Sequence, residues 1–220
     1  MGKIEKGVLG GFSGLVGTVV GAKFRGIDVI RSRPVKSKKP PKQSMLDQRS
    51  KFALITKFLK RIKSWVDLGF SAGGTTASPM NLAVALNLER AIKGISPAFS
   101  IDYTKLVLSN GELPVLENLS VTPAAARTLN FTWNEYEDWE SNEERTVLRN
   151  TDRVSFLLHN PVTNSSLKGL LTGNRGMLAG KTFMSLAMMG APCHLWTFVT
   201  SEDGMSISES QYLGTVTGLA

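Results

Sequence analysis

The sequence is poor in the residues that most often carry chemistry. It has one cysteine, Cys193, and two histidines, His159 and His194, in 220 residues. A single cysteine excludes an intramolecular disulfide and fits a reducing compartment. Two histidines and one cysteine do not make a typical zinc site without added carboxylates. His194 adjoins Cys193, but neighbours on a strand point to opposite faces, which separates a would-be nucleophile from its base. No run of about 18 apolar residues occurs, so no spanning helix is expected. The start, MGKIEKG, is basic but has no long apolar core and no small-residue cleavage site before the arginines, so no signal peptide is read.

Phosphate loops are missing too. Gly21-Ala22-Lys23 is followed by Phe24 and position 16 is valine, so GxxxxGK[ST] fails, and no GxGxxG occurs in the glycine-rich start. The spacings Gly10–Gly14 and Gly17–Gly21 match small-xxx-small pairs of membrane helices, but the uncharged run is too short to span. The acidic run EYEDWESNEER (135–145) lacks the spacing and glycine of a calcium loop and reads as a solvated connection. No enzyme, cofactor, metal site or small-molecule substrate is expected.

Acidic residues are scarce at one end. Residues 1–63 hold 16 Lys/Arg against 3 Asp/Glu, and residues 64–220 hold 10 against 15, giving +13 and −5 within the net +8. Such asymmetry predicts two regions with different partners.

What is present begins with glycine. Eight of the first 33 residues are Gly, interleaved with Val16, Val19, Val20, Phe24, Ile27, Val29 and Ile30. This composition disfavours helix and favours short strands, read as 15–20 and 23–31 in a hairpin turning near Gly21. RSRPVKSKKPPKQ (31–43), broken by three prolines, reads as an extended linker. Ser44 with Asp47 suggests a capped helix running to about Val66. Its apolar side is Phe52, Leu54, Ile55, Phe58, Leu59, Ile62, Trp65 and Val66. Arg49, Lys57, Lys60, Arg61 and Lys63 lie opposite, and Lys51 falls within the apolar arc. Ser78-Pro79 opens a second helix to about Lys93, stopped by Gly94 and Pro97.

From Ser100 the period becomes two. A strand is read at 101–108, with a turn at Ser109-Asn110-Gly111. Seven more follow at 116–122, 127–134, 153–160, 167–172, 181–188, 194–200 and 206–217, with Trp133 and Trp196 as core residues. The fold class is therefore α+β: an N-terminal Gly-rich basic arm (1–43), a helical docking region (44–113) and an immunoglobulin- or fibronectin-like β-sandwich (114–220).

Residues 3–34, KIEKGVLGGFSGLVGTVVGAKFRGIDVIRSRP, resemble the opening of an uncharacterised bacterial family of unknown function. In that family a Gly-rich start leads to W/F-[RK]-G-I and RSRP, here Phe24–Ile27 and Arg31–Pro34. A Gln-x-x-x-x-Gln-Arg-x-x-Phe helix follows, here Gln43 to Phe52. The resemblance continues through SIDYTKLVLSNGELP (100–114) and TSEDG with SES and YLGTV (200–216). Leu15 stands where members carry a polar or basic residue after FSG. The resemblance implies no activity and no catalytic residues. The basic proline stretch before the helix also resembles small phage-associated proteins.

The leading expectation is a non-enzymatic structural or assembly protein, such as a phage- or virus-like particle component. Its arm would reach a neighbouring copy, giving a homo-oligomer or larger assembly, cytoplasmic or virion-associated. The alternative is a cytoplasmic nucleic-acid-associated protein holding phosphates through residues 23–63. Contact residues for either are Arg25, Arg31, Arg33, Lys36, Lys38, Lys39, Lys42, Arg49, Lys57, Lys60 and Arg61. A third reading, a sugar-binding sandwich, needs a surface platform such as Trp139 and an export signal that is not seen.

Overall fold

The computed structural model describes residues 3–4, 10–24, 26–35, 39–71, 77–124, 127–135 and 150–218, with 3, 4 and 187 described by backbone alone. It divides into two compact units, Met1–Lys42 and Gln43–Ala220.

The first unit is an antiparallel meander of β1 (Lys3–Ile4), β2 (Phe12–Val16), β3 (Val19–Phe24) and β4 (Ile27–Ser32), ordered β1-β2-β3-β4. The expected hairpin at Gly21 is corrected. The β2–β3 turn falls at Gly17-Thr18, with Gly17 at φ +56°, and β3 ends at Phe24. Gly21 sits inside β3, between Gly14 and Ile30 of its neighbours. A Cβ there would lie 2.1 Å from the Phe12 carbonyl oxygen. The residue is glycine because another strand passes close by, not because the chain turns. The expected linker is shortened at both ends, since its first residues, Arg31 and Ser32, close β4 and its last, Gln43, opens α1.

The second unit opens with α1 (Gln43–Arg61) and α2 (Lys63–Gly69). The single helix expected from a Ser44 cap to Val66 is corrected twice. Ser44 lies inside α1, and Asp47 accepts hydrogen bonds from Gln43 Nε2 (2.7 Å) and Ser96 Oγ (2.8 Å). Ile62, at φ −108° and ψ 25°, interrupts the helix while its own side chain stays buried. α3 (Pro79–Arg90) starts as its sequence predicts: Ser78 Oγ accepts from the Asn81 amide and Pro79 is the first helical residue. It ends at Ala91. Gly94 and Pro97 belong to the hairpin of β5 (Ile92–Ile95) and β6 (Ala98–Ile101).

The strand expected at 101–108 is also corrected. The Asp102 carboxylate accepts from the Thr104 amide and hydroxyl, so Tyr103–Lys105 form a short 3-10 turn. The stretch after it is tied down by side chains. Buried Asn87 of α3 donates to the Val107 carbonyl (2.6 Å) and accepts from its amide (2.8 Å). Ser210 Oγ accepts from the Leu108 amide.

Seven strands follow: β7 (Glu117–Ala124), β8 (Thr128–Asn134), β9 (Arg153–Asn160), β10 (Ser165–Asn174), β11 (Ala179–Phe183), β12 (Cys193–Thr200) and β13 (Gln211–Val216). They form antiparallel sheets ordered β10-β9-β12-β13 and β11-β8-β7. The strand expected at 181–188 is shorter, because a 3-10 turn takes Leu186–Met188. The two sheets share one core, in which Leu129, Phe131 and Trp133 of β8 meet Val154, Phe156 and Leu158 of β9 and Leu195 and Val199 of β12.

The opposite face of the four-stranded sheet is covered as well. Leu157 of β9 with Trp196 and Phe198 of β12 pack under Ile55, Phe58, Leu59 and Ile62 of α1, Trp65 and Val66 of α2 and Ala83 and Val84 of α3. The result is three layers: helices, four-stranded sheet, three-stranded sheet. A sheet buried on both faces has apolar residues at successive positions, and β9 is buried from Val154 to Asn160. The helices therefore cover this sheet, rather than leaving the strand layers displayed on their own.

Candidate functional site

Two kinds of feature stand out: the basic residues picked from the sequence, and a cluster of aromatic and histidine side chains between the helices and the sheet.

Four basic residues share α1. Arg49, Lys57, Lys60 and Arg61 are all exposed, opposite the buried arc of Ile55, Phe58, Leu59 and Ile62. Arg61 donates to Asn164 Oδ1 at 2.6 Å. Lys51, the exception on the apolar arc, lies over the Phe99 ring at 4.7 Å from its centroid. Phe52, expected to be buried, is 51% exposed. In the first unit, exposed Arg31 is the next-to-last residue of β4 and the Arg33 amide donates to the Thr18 carbonyl at 2.8 Å. Lys39 and Lys42 are exposed on irregular chain. Arg25, Lys36 and Lys38 lie outside the described residues, as does Trp139, the surface platform of the sugar-binding reading.

The second cluster follows from strand alternation. On β12, Cys193 points into the core between the sheets, and His194 points with Trp196 towards the helices. Burial raises the Cys193 thiol pKa. Tyr103 stacks on His194, with centroids 4.4 Å apart and planes at 26°. His194 Nδ1 hydrogen-bonds Tyr212 Oη at 2.8 Å, and His159 Nδ1 hydrogen-bonds Ser166 Oγ at 2.9 Å. Phe58 meets the His159 ring edge-to-face at 5.1 Å.

His159 is fully buried, and its Nε2 has no hydrogen-bond partner among the described residues. Burial, with His194 and Arg61 nearby, lowers its pKa to about 4. Burial and then Lys93 lower that of His194. Burial raises the pKa of Tyr103, against the pull of Arg61, and burial followed by Asp102 raises that of Tyr212. At neutral pH both imidazoles are therefore uncharged parts of an aromatic layer. Sequence reasoning weighed both histidines but missed Tyr103 and Tyr212 as their partners. Strand alternation placed His194 on the side of Trp196, whereas nothing local placed Tyr103 above it.

A buried ion pair joins Arg175 Nε to Asp152 at 3.4 Å, and Arg175 Nη2 also donates to the Pro114 carbonyl at 2.6 Å. Trp133 Nε1 donates to the Arg175 carbonyl at 2.9 Å. This arrangement ties β8 to the turn after β10, and that turn to Asp152 just before β9, with both charged side chains buried. Among the described residues no group of three His, Cys, Asp or Glu side chains is placed to hold a metal ion, and no helix is long and apolar enough to cross a membrane.

No curated protein matches the sequence. A family model does match, over residues 11–214, from the glycine-rich start to the last strand. The chain belongs to the family of unknown function DUF6266.

Proposed function

We propose that this chain is a non-enzymatic structural protein that assembles with further copies of itself through its N-terminal meander. One observation carries the reading. Phe24, Ile27 and Ile30 of β3 and β4 are 63%, 68% and 68% exposed. Register puts Phe24 and Ile27 on one face of the meander and Ile30 on the other. A four-stranded sheet needs a buried hydrophobic face for independent stability, and these exposed side chains leave apolar surface for a partner to cover. β4 is also an edge strand, with one side of its backbone unpaired within the sheet. An edge with exposed apolar side chains is a template for strand addition from another chain.

The larger unit suits a scaffold. We read its seven strands as a fibronectin-like sandwich, because the fourth strand, β10, joins the β9-β12-β13 sheet rather than the β7-β8-β11 sheet. The helix layer stiffens that sandwich on one side, and the buried histidines contribute packing.

Concentration-dependent hydrogen exchange tests the reading. Strand addition protects the outward amides of residues 27–32 at high protein concentration and releases them on dilution. Rapid exchange of those amides at every concentration contradicts it.

A further inference from the structure

We propose that the outer face of α1 is a docking ridge for a phosphodiester backbone. This inference stands apart from the assembly reading, which concerns the other unit.

At 3.6 residues per turn, Arg49, Lys57, Lys60 and Arg61 fall within about 120° of arc, directly opposite the buried side of the helix. They span about 18 Å along the axis. Lys57 has Lys60 at i+3 and Arg61 at i+4, pairs in which like charges destabilise a helix. Surface helices ordinarily relieve such pairs with interleaved Asp or Glu. The one acidic residue of α1 is Asp47, and its carboxylate is engaged by Gln43 and Ser96. No ion pair within the described residues uses Arg49, Lys57 or Lys60. The negative C-terminal end of the helix dipole accounts for cations at Lys60 and Arg61. It does not account for Arg49, about three turns before that end, and it has fallen off at Lys57, about one turn before it. A local rule broken along one exposed face, without a compensating contact, marks a binding surface.

The chemistry of the ridge selects the partner. Between the cations the arc carries only Leu46, Ser50 and Ala53, with no aromatic ring on which a base could stack. It therefore suits the phosphate backbone and carries no means of reading sequence. A band of four cations about 18 Å long suits a duplex, which presents one charge per about 1.7 Å of axis.

The test is fluorescence anisotropy of the full chain with a mixed-sequence DNA duplex of about 20 base pairs, in about 50 and about 200 mM salt. Four phosphate contacts give a log–log salt slope of about −3.6, a loss of roughly 100-fold over that range. The variant R49Q/K57Q/K60Q should reduce the slope by about 2.7 while its helical circular dichroism is unchanged. R31Q/R33Q, which removes charge from the other unit, should leave more binding than the α1 variant does. Absence of duplex binding in the lower salt overturns the proposal. So does binding that the α1 variant leaves intact or that R31Q/R33Q reduces more. Polyglutamate competing as well as unlabelled duplex also overturns it, by making the partner an acidic protein surface.

Discussion

Trp65 of α2 packs its ring on Phe198 of β12, with centroids 4.6 Å apart and planes at 48°. This contact, with Ile55, Leu59 and Trp196 around it, makes the helices and the four-stranded sheet one hydrophobic body. A core shared in this way has to unfold as a unit.

The first prediction follows from it. Phe198→Ala removes a fully buried ring from the helix–sheet layer and should cost about 3–5 kcal/mol. In denaturant the helical signal at 222 nm and the tryptophan fluorescence should stay coincident and shift together to one lower midpoint. A helix signal with an unchanged midpoint contradicts the shared core.

The histidine cluster sets a pH dependence. His159 is held neutral in the fold, with a pKa of about 4 against an unfolded value near 6.5. In that window the unfolded chain binds the proton and the folded chain does not, so stability is full above about pH 6.5 and falls as pH drops towards 4. The His159 contribution is on the order of 3 kcal/mol across the window. His194, also lowered, acts in the same direction. The chain has two histidines, so a proton NMR titration resolves both directly. One imidazole resonance should stay at its neutral position down to about pH 5, and His159→Phe should remove it and flatten the acid limb of the stability curve. A titration midpoint near 6.5 for both resonances contradicts this account.

Asn87 gives the third prediction. Its amide donates to Ala83 and Val107 and its carbonyl accepts from Val107, from a fully buried position. Asn87→Ala leaves the Val107 amide and carbonyl unsatisfied and should cost about 2–4 kcal/mol. Chemical denaturation measures it, and a loss below about 1 kcal/mol contradicts the clamp.

The fourth concerns the meander. Because a Cβ at position 21 meets the Phe12 carbonyl, Gly21→Val has to push β2 off β3. Amide exchange over residues 12–24 should accelerate sharply in that variant. Thr18→Ala, in the exposed turn, should leave it unchanged.

Much of this fold was legible because the signals were local. Ser78 and Pro79 mark the start of α3 by their own capping chemistry. Five of the seven strands of the second half stand near their expected positions because turn residues bound them, whereas those expected at 181–188 and 206–217 are shorter, at Ala179–Phe183 and Gln211–Val216. What was not legible depends on distant partners. Gly21 looks like a turn until Phe12 is seen beside it. Ile62 fits the helical period, and only the path of Trp65 towards Phe198 shows that the helix restarts there. The run 101–108 alternates like a strand, but Asp102 near its start captures Thr104 with its carboxylate and turns the chain. The basic face of α1 could be read from helical period alone, and the aromatic layer around His159 and His194 could not. Tyr103 and His194 are 91 residues apart in the chain and meet only once the helices cover the sheet.

Assembly through the meander is read out by light scattering. Molar mass should be measured for the native chain and for F24K/I27K/I30K, at low and high concentration and after nuclease treatment. All three side chains are exposed, so lysine leaves the fold of the chain intact while placing charge on the proposed contact. Nuclease-resistant oligomers are expected for the native chain and monomers for the variant. A native chain that is monomeric at every concentration contradicts that expectation, as does a variant that assembles like the native protein.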